Sequence, residues 1–207
     1  MKIKKKQWDK DKHGLVWEIS DVFRPHELEY IQSQIPKKEI VLPEGIQTSY
    51  NVNRLPLIEE SYKPILKHLY PKLLEECIRE STIFSPISRS SSAWTPTDYA
   101  NIECEARLQG TAQGLNYRIH PDMSAKILTF LVYIHPEVQE PTYFHAYKRG
   151  IENKKKEEDP DPLKYIPWKV NTGYIFLPNE KSMHSYANTI HGTDRYVVLG
   201  NLLFNGK

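Results

Sequence analysis

A β-sandwich or barrel with helices over one face is the fold class that the sequence predicts, and three observations carry it. Apolar residues recur at helical spacing in the first 80 residues, at Leu28, Ile31 and Ile35 and again at Leu66, Leu69, Leu73, Leu74, Cys77 and Ile78. From residue 99 onward the pattern changes to short segments that alternate, or that run continuously through β-branched and aromatic residues, at 99–108, 115–120, 126–134, 142–147, 174–177 and 196–204. The chain has 207 residues and no internal repeat, the size of one mainly β domain with N-terminal helices.

Taken in order, residues 15–19 alternate around Trp17 and read as a strand, after which Ser20-Asp21 offers a cap for the first helix and Pro36 ends it. Residues 41–56 read as loop, punctuated by Pro43, Gly45 and Asn53. The second helix, over 62–79, carries Pro71 inside its pattern, which predicts a kink or a split. A Ser- and Pro-rich connector over 81–96 holds Arg89 and Trp94, its members best suited to touch a ligand. The helical support thus covers about 15–80 and the β core about 99–204. A charged insertion over about 147–169, with Lys154-Lys155-Lys156-Glu157-Glu158-Asp159 and two Asp-Pro steps, reads as a solvated rim loop or a lid.

Hydrophobic residues make up 39% of the chain and aromatics 11%, enough to bury a globular interior. Lys and Arg number 28 against 26 Asp and Glu, so a net charge of +2 supplies no field for nucleic acid or a membrane surface. The opening lysines at 2, 4, 5 and 6 are followed by Trp8-Asp9-Lys10-Asp11 where a secretory signal would need an apolar stretch. The longest apolar run, 127–134, is well short of the roughly 20 residues that span a bilayer. Cys77 and Cys104 form no CxxC pair, which suits buried thiols in a reducing cytoplasm.

The chemistry is carried by His120-Pro121-Asp122, two ligands at a strand end whose spacing puts them on the same side of the backbone. A third follows 64 residues later at His184, after the strand 174–177. Two imidazoles and one carboxylate make the facial set that leaves three positions open on a non-haem iron, room for a bidentate 2-oxo acid and dioxygen. An Asp at 122, where Gly or Ala would leave a halide site, favours hydroxylation over halogenation. Arg195, eleven residues beyond His184 at the start of the last strand, is placed to clamp the far carboxylate of a diacid. His135-Pro136-Glu137 is a rival pair at the far end of the strand 126–134, beside a Pro-flanked turn, and is the weaker candidate. His145 reads as a strand residue or a site liner, and His26 and His68 belong to the helices; His13 and His191 carry no further signal.

The segments Tyr117-Arg-Ile-His120-Pro-Asp122, Ile127-Leu-Thr-Phe-Leu-Val-Tyr133-Ile, Pro141-Thr142-Tyr143-Phe144, Asn171-Thr-Gly173-Tyr-Ile-Phe-Leu, His184-Ser185-Tyr186 and Arg195-Tyr-Val-Val-Leu-Gly-Asn201-Leu follow one another over residues 99–204. In that order and spacing the chain resembles the Fe(II)- and 2-oxoglutarate-dependent oxygenases, within them the prolyl-4-hydroxylase-like group and its small bacterial and phage members. The resemblance implies a double-stranded β-helix, a jelly-roll or cupin-like barrel, forming a single oxygenase domain over 1–207. It implies iron on His120, Asp122 and His184, and 2-oxoglutarate on Arg195 with help from Tyr133, or from Thr129 or Tyr117. The implied reaction hydroxylates a carbon of a peptidyl, prolyl-type or small-molecule substrate, with dioxygen as oxidant, succinate and carbon dioxide as products and ascorbate as a supporting reductant. A nucleobase substrate is the least supported. One departure stands out, Glu140-Pro141-Thr142 where the group has Gly-Gly-Thr or Gly-Thr, so the turn there must be built differently. The alternative from another class is a β-barrel metal- or ligand-binding protein that catalyses nothing.

Overall fold

Two antiparallel sheets face each other in the computed structural model, which describes residues 1–8, 14–37, 49–80, 102–122, 126–155, 158–159, 164–179, 181–188 and 194–204. The connector over 81–96 with Arg89 and Trp94, and likewise His13 and His191, lie outside the described residues.

The elements run β1 (Lys2–Trp8), β2 (Gly14–Ser20), α1 (Pro25–Ser33), β3 (Tyr50–Arg54), α2 (Pro56–Glu80), β4 (Ile102–Thr111), β5 (Asn116–His120) and β6 (Lys126–His135). They continue with β7 (Thr142–Phe144), β8 (Lys164–Tyr165), β9 (Thr172–Phe176), β10 (His184–Ala187) and β11 (Arg195–Phe204). The large sheet has the order β1-β2-β9-β6-β11-β4-β3 and the small one β5-β10-β7-β8.

Side-chain parity divides the large sheet between two cores. On β6, Phe130, Val132 and Ile134 join α1 and α2 on the outer face, while Leu131 and Tyr133 point between the sheets. Strand β11 does the same, with Val198 and Leu202 outside and Val197 and Leu199 inside, and β9 with Ile175 outside and Tyr174 and Phe176 inside. A strand buried on both faces needs apolar residues at every position, which is why the run 127–134 does not alternate. The same parity puts Thr129, Arg195 and Asn201 on the inner face, where all three are buried.

Several expectations are corrected. Helix α2 is not split at Pro71: it continues through Pro64 and Pro71, because Ile58, Tyr62, Leu66, Tyr70, Leu73 and Cys77 pin one face onto the sheet and that burial offsets the missing backbone bonds. Its first residue is Pro56, a position where proline loses nothing. Helix α1 is capped by Arg24 and Glu27 rather than by Ser20-Asp21, and it ends at Ser33, before Pro36. The stretch read as loop contains β3, a short polar edge strand whose pattern is masked by a bulge. The opening lysines form β1, an edge strand on β2, where charge discourages pairing with another sheet.

The charged insertion is held to the body of the protein in its described parts. Ile119 and residues 153–154 exchange backbone hydrogen bonds of 2.8 Å, Ile151 and Ile166 are buried, and the short strand β8 completes the small sheet. No helix among the described residues is long and apolar enough to cross a membrane.

Candidate metal and cosubstrate site

The two histidines meet because β5 and β10 are antiparallel neighbours with His120 directly opposite His184. A bulge follows, the register slipping by one residue before Tyr186 meets Tyr117. The imidazole centroids are 4.4 Å apart, inclined at 51°. Each ring donates its Nδ1–H to a backbone carbonyl two residues earlier, His120 to Arg118 at 2.8 Å and His184 to Ser182 at 3.1 Å. On His120 that leaves Nε2 with the lone pair, and both rings are held in the fixed orientation that a metal ligand requires. Burial, then the neighbouring His184, pushes His120 down to about 3, so the ring is neutral at physiological pH.

Asp122 leaves the end of β5 on the same side as His120. Burial raises its pKa, but the adjacent His184 and the Lys126 ammonium outweigh it and keep the carboxyl below its ordinary range. Lys126 Nζ lies 2.5 Å from Oδ1 and the Thr129 hydroxyl donates to Oδ2 at 2.8 Å. Among the described residues, no three His, Cys, Asp or Glu side chains stand together as a finished metal-binding group. The two imidazoles, Asp122 and Lys126 nonetheless line one cavity of about 170 Å³, together with Tyr117, Tyr174 and Tyr186. Two oriented imidazoles, of which His120 is held neutral, and an ionised carboxylate in one cavity are a donor set that fits a divalent cation once the lysine gives way.

Arg195 is buried to 1% exposure, and no acidic side chain among the described residues pairs with it. Its Nη2 donates to Thr142 Oγ1 at 3.2 Å, and its Nε has no partner. Aromatic rings box it in, with Tyr186 4.8 Å, Trp168 5.1 Å and Tyr133 6.0 Å from the guanidinium carbon. Cation–π contacts of this kind offset about 2 kcal/mol each at best, against a desolvation cost of several kcal/mol for an unpaired buried ion. Arg195 does not itself line the cavity; Tyr174 and Tyr186 do, and both reach the arginine, Tyr186 through its ring and Tyr174 by donating to the same Thr142 Oγ1 at 3.2 Å.

Neither the protein-family models nor the curated proteins give a match to the sequence. Solved structures do. A prolyl-4-hydroxylase from Pseudomonas putida superposes over 94% of this chain and 94% of its own, with a TM-score of 0.51 and 12% identity. The viral collagen prolyl hydroxylase of Paramecium Bursaria Chlorella virus-1 matches over 92% of this chain and 90% of its own, at 0.51 and 14%. HygX from Streptomyces hygroscopicus, crystallised with nickel and 2-oxoglutarate bound, matches over 92% and 82%, at 0.50 and 14%. The chain has the fold of a prolyl-4-hydroxylase.

On that fold the residues singled out by sequence fall into two groups. His120, Asp122, His184 and Tyr117 share the cavity, Tyr117 stacked on Tyr186 at 4.9 Å and meeting His120 edge-on at 4.6 Å. Thr129 lies on the Asp122 side, between that carboxylate and Asn201. Tyr133 lies on the Arg195 side, its hydroxyl donating to the Ile166 carbonyl at 3.2 Å and its ring stacked on Trp168. The rival His135 sits at the end of β6 against Tyr196, away from the cavity, and His145 is buried between Asp159 and Ser185. Sequence reasoning missed Lys126, Thr142, Trp168, Tyr174 and Tyr186. Parity along β9 could have found Tyr174; Trp168 lies inside the charged insertion and gave no signal.

Proposed function

We propose that the chain is a non-haem Fe(II)- and 2-oxoglutarate-dependent dioxygenase on a double-stranded β-helix, with His120, Asp122 and His184 as metal ligands and Arg195 as cosubstrate anchor. The strand order supports the β-helix: β9, β6, β11 and β4 are successive neighbours in one sheet, β5, β10, β7 and β8 in the other. The observation that carries the function is the buried Arg195, with no salt bridge among the described residues and Nε unsatisfied, beside a cavity that holds an oriented imidazole pair and a carboxylate. A dianionic 2-oxo acid answers both ends, one carboxylate for the guanidinium and a chelating end for the metal.

Iron, when bound, supplies the coupling of dioxygen reduction to decarboxylation of the 2-oxo acid, giving succinate, carbon dioxide and a hydroxylated substrate carbon. The chain supplies the rest. The Arg118 and Ser182 carbonyls orient the imidazoles, the low pKa of Asp122 keeps it ionised, and the Tyr117, Tyr174 and Tyr186 rings keep water from the cavity wall. Tyr133, Thr129 and Tyr117 remain the candidates for assisting the cosubstrate, with Tyr133 favoured by its place in the Arg195 shell.

A prolyl-type peptidyl side chain is the favoured substrate, by likeness of fold to the two prolyl hydroxylases. A small metabolite also suits a cavity of about 170 Å³. Two buried cysteines that form no disulfide suit residence in the cytoplasm. A second reading, a ligand-binding barrel without catalysis, draws on the lysine lodged on Asp122. Uncoupled turnover separates them: with Fe(II), ascorbate and 2-oxoglutarate, wild type should release succinate and His184→Ala should not. Equal background release from both would leave the binding barrel as the better reading.

A further inference from the structure

We propose that Lys126 is a built-in stand-in for the metal, a cation that holds Asp122 in place until a divalent ion displaces it, and so sets the affinity of the site. The inference rests on the reading of Asp122 as a metal ligand. The ammonium lies 2.5 Å from Oδ1, with the two side chains only 14% and 7% exposed. Among the described residues it is the only Lys or Arg that lines the cavity.

The backbone puts it there by an irregularity. Along β6 the pairing with β11 shifts between Leu128, opposite Leu202, and Lys126, opposite Leu203, so one extra residue, Ile127, is fitted into β6. Ile127 and Leu128 both join the outer core as a result. Regular alternation would have sent Lys126 outward with Leu128 and Phe130; the bulge turns it to the inner face, onto Asp122. A bulge that re-aims one side chain into a site is a recurring device.

Electrostatics sets the two cations in competition. A buried carboxylate without a partner is costly, so the lysine stabilises the metal-free protein. An ammonium and a divalent ion on the same small carboxylate repel each other at close range in a poorly screened cavity. With Oδ1 held by the ammonium and Oδ2 by the Thr129 hydroxyl, a metal must displace or weaken the Lys126–Asp122 pair to bind, and its apparent affinity is reduced by what that costs.

The test is titration of the metal-free full chain with Mn(II), by calorimetry and by the thermal midpoint, in wild type, Lys126→Met and Lys126→Arg. Lys126→Met should bind Mn(II) about tenfold more tightly or better, and Mn(II) should raise its midpoint by more than it raises that of wild type. Lys126→Arg, which keeps the cation, should stay near wild type. Unchanged or weaker binding by Lys126→Met, with wild type binding well, overturns the stand-in and leaves the metal site intact. No binding by either overturns both. Should Lys126→Met be unfolded without metal, recovery of its circular dichroism spectrum on adding Mn(II) reports the same exchange, and failure to recover while wild type binds contradicts it.

Discussion

At the scale of single residues, the strongest constraint on function is a buried charge that no carboxylate among the described residues bridges. Arg195 lies in the interior, its Nη2 bonded to the Thr142 hydroxyl and its Nε unsatisfied. Arg195→Met should therefore leave the free protein at least as stable as wild type, since it removes a buried ion with no salt bridge among the described residues. The same change should abolish the rise in thermal midpoint on adding 2-oxoglutarate with Mn(II); a ligand-induced rise that survives would show that the anion binds elsewhere. His120 and His145 set a second expectation. Burial depresses both, His120 to about 3, so the unfolded chain, with its ordinary histidine value of 6.5, binds more protons below that pH. Stability should then rise with pH between about 3 and 6.5 and level off above. Urea denaturation across that range measures it, and His145→Gln should flatten part of the slope. That His120 and Asp122 face one cavity was legible at this scale, because residues at i and i+2 of an extended segment share a side. Thr142 and Lys126 were not, because one acts through a turn whose sequence departs from the family pattern and the other depends on a bulge.

At the scale of elements, strands announced themselves where they are buried on both faces and stayed silent where they are short or at an edge. The run 127–134 and the last strand were read correctly because their own side chains fill two cores. β3 and β10 exist because of their partners: Tyr50 and Asn51 lie on β4, and His184 and Tyr186 are gripped by β5 and β7. Close approach of strands leaves its own mark in Gly173, where an added Cβ would fall 1.8 Å from the Leu131 carbonyl oxygen, against Gly200, where it would meet the Phe130 ring. A backbone cannot yield as a ring can. Gly173→Ala should cost about 3 kcal/mol or more, at the top of the range for overpacking, and Gly200→Ala less. Equal midpoints in urea would contradict the close β6–β9 contact.

At the scale of the whole molecule, the site is an outcome of strand order. His120 and His184 are 64 residues apart in sequence and become neighbours only when β5 and β10 pair in the small sheet, while Arg195 arrives on the large sheet from β11. Sequence could supply the parts and a resemblance to a family; it could not supply the aromatic box, assembled from Tyr133, Trp168 and Tyr186 on different segments. Nor could it show the insertion tied back to Ile119, since that contact is made by backbone atoms. If one cavity binds metal and diacid together, anomalous diffraction from a crystal grown without oxygen in Mn(II) and 2-oxoglutarate should show one manganese peak within bonding distance of His120 Nε2, His184 Nε2 and Asp122, with a 2-oxoglutarate carboxylate on Arg195. A metal bound elsewhere, or a cavity in which Arg195 still lacks an anion, would contradict it.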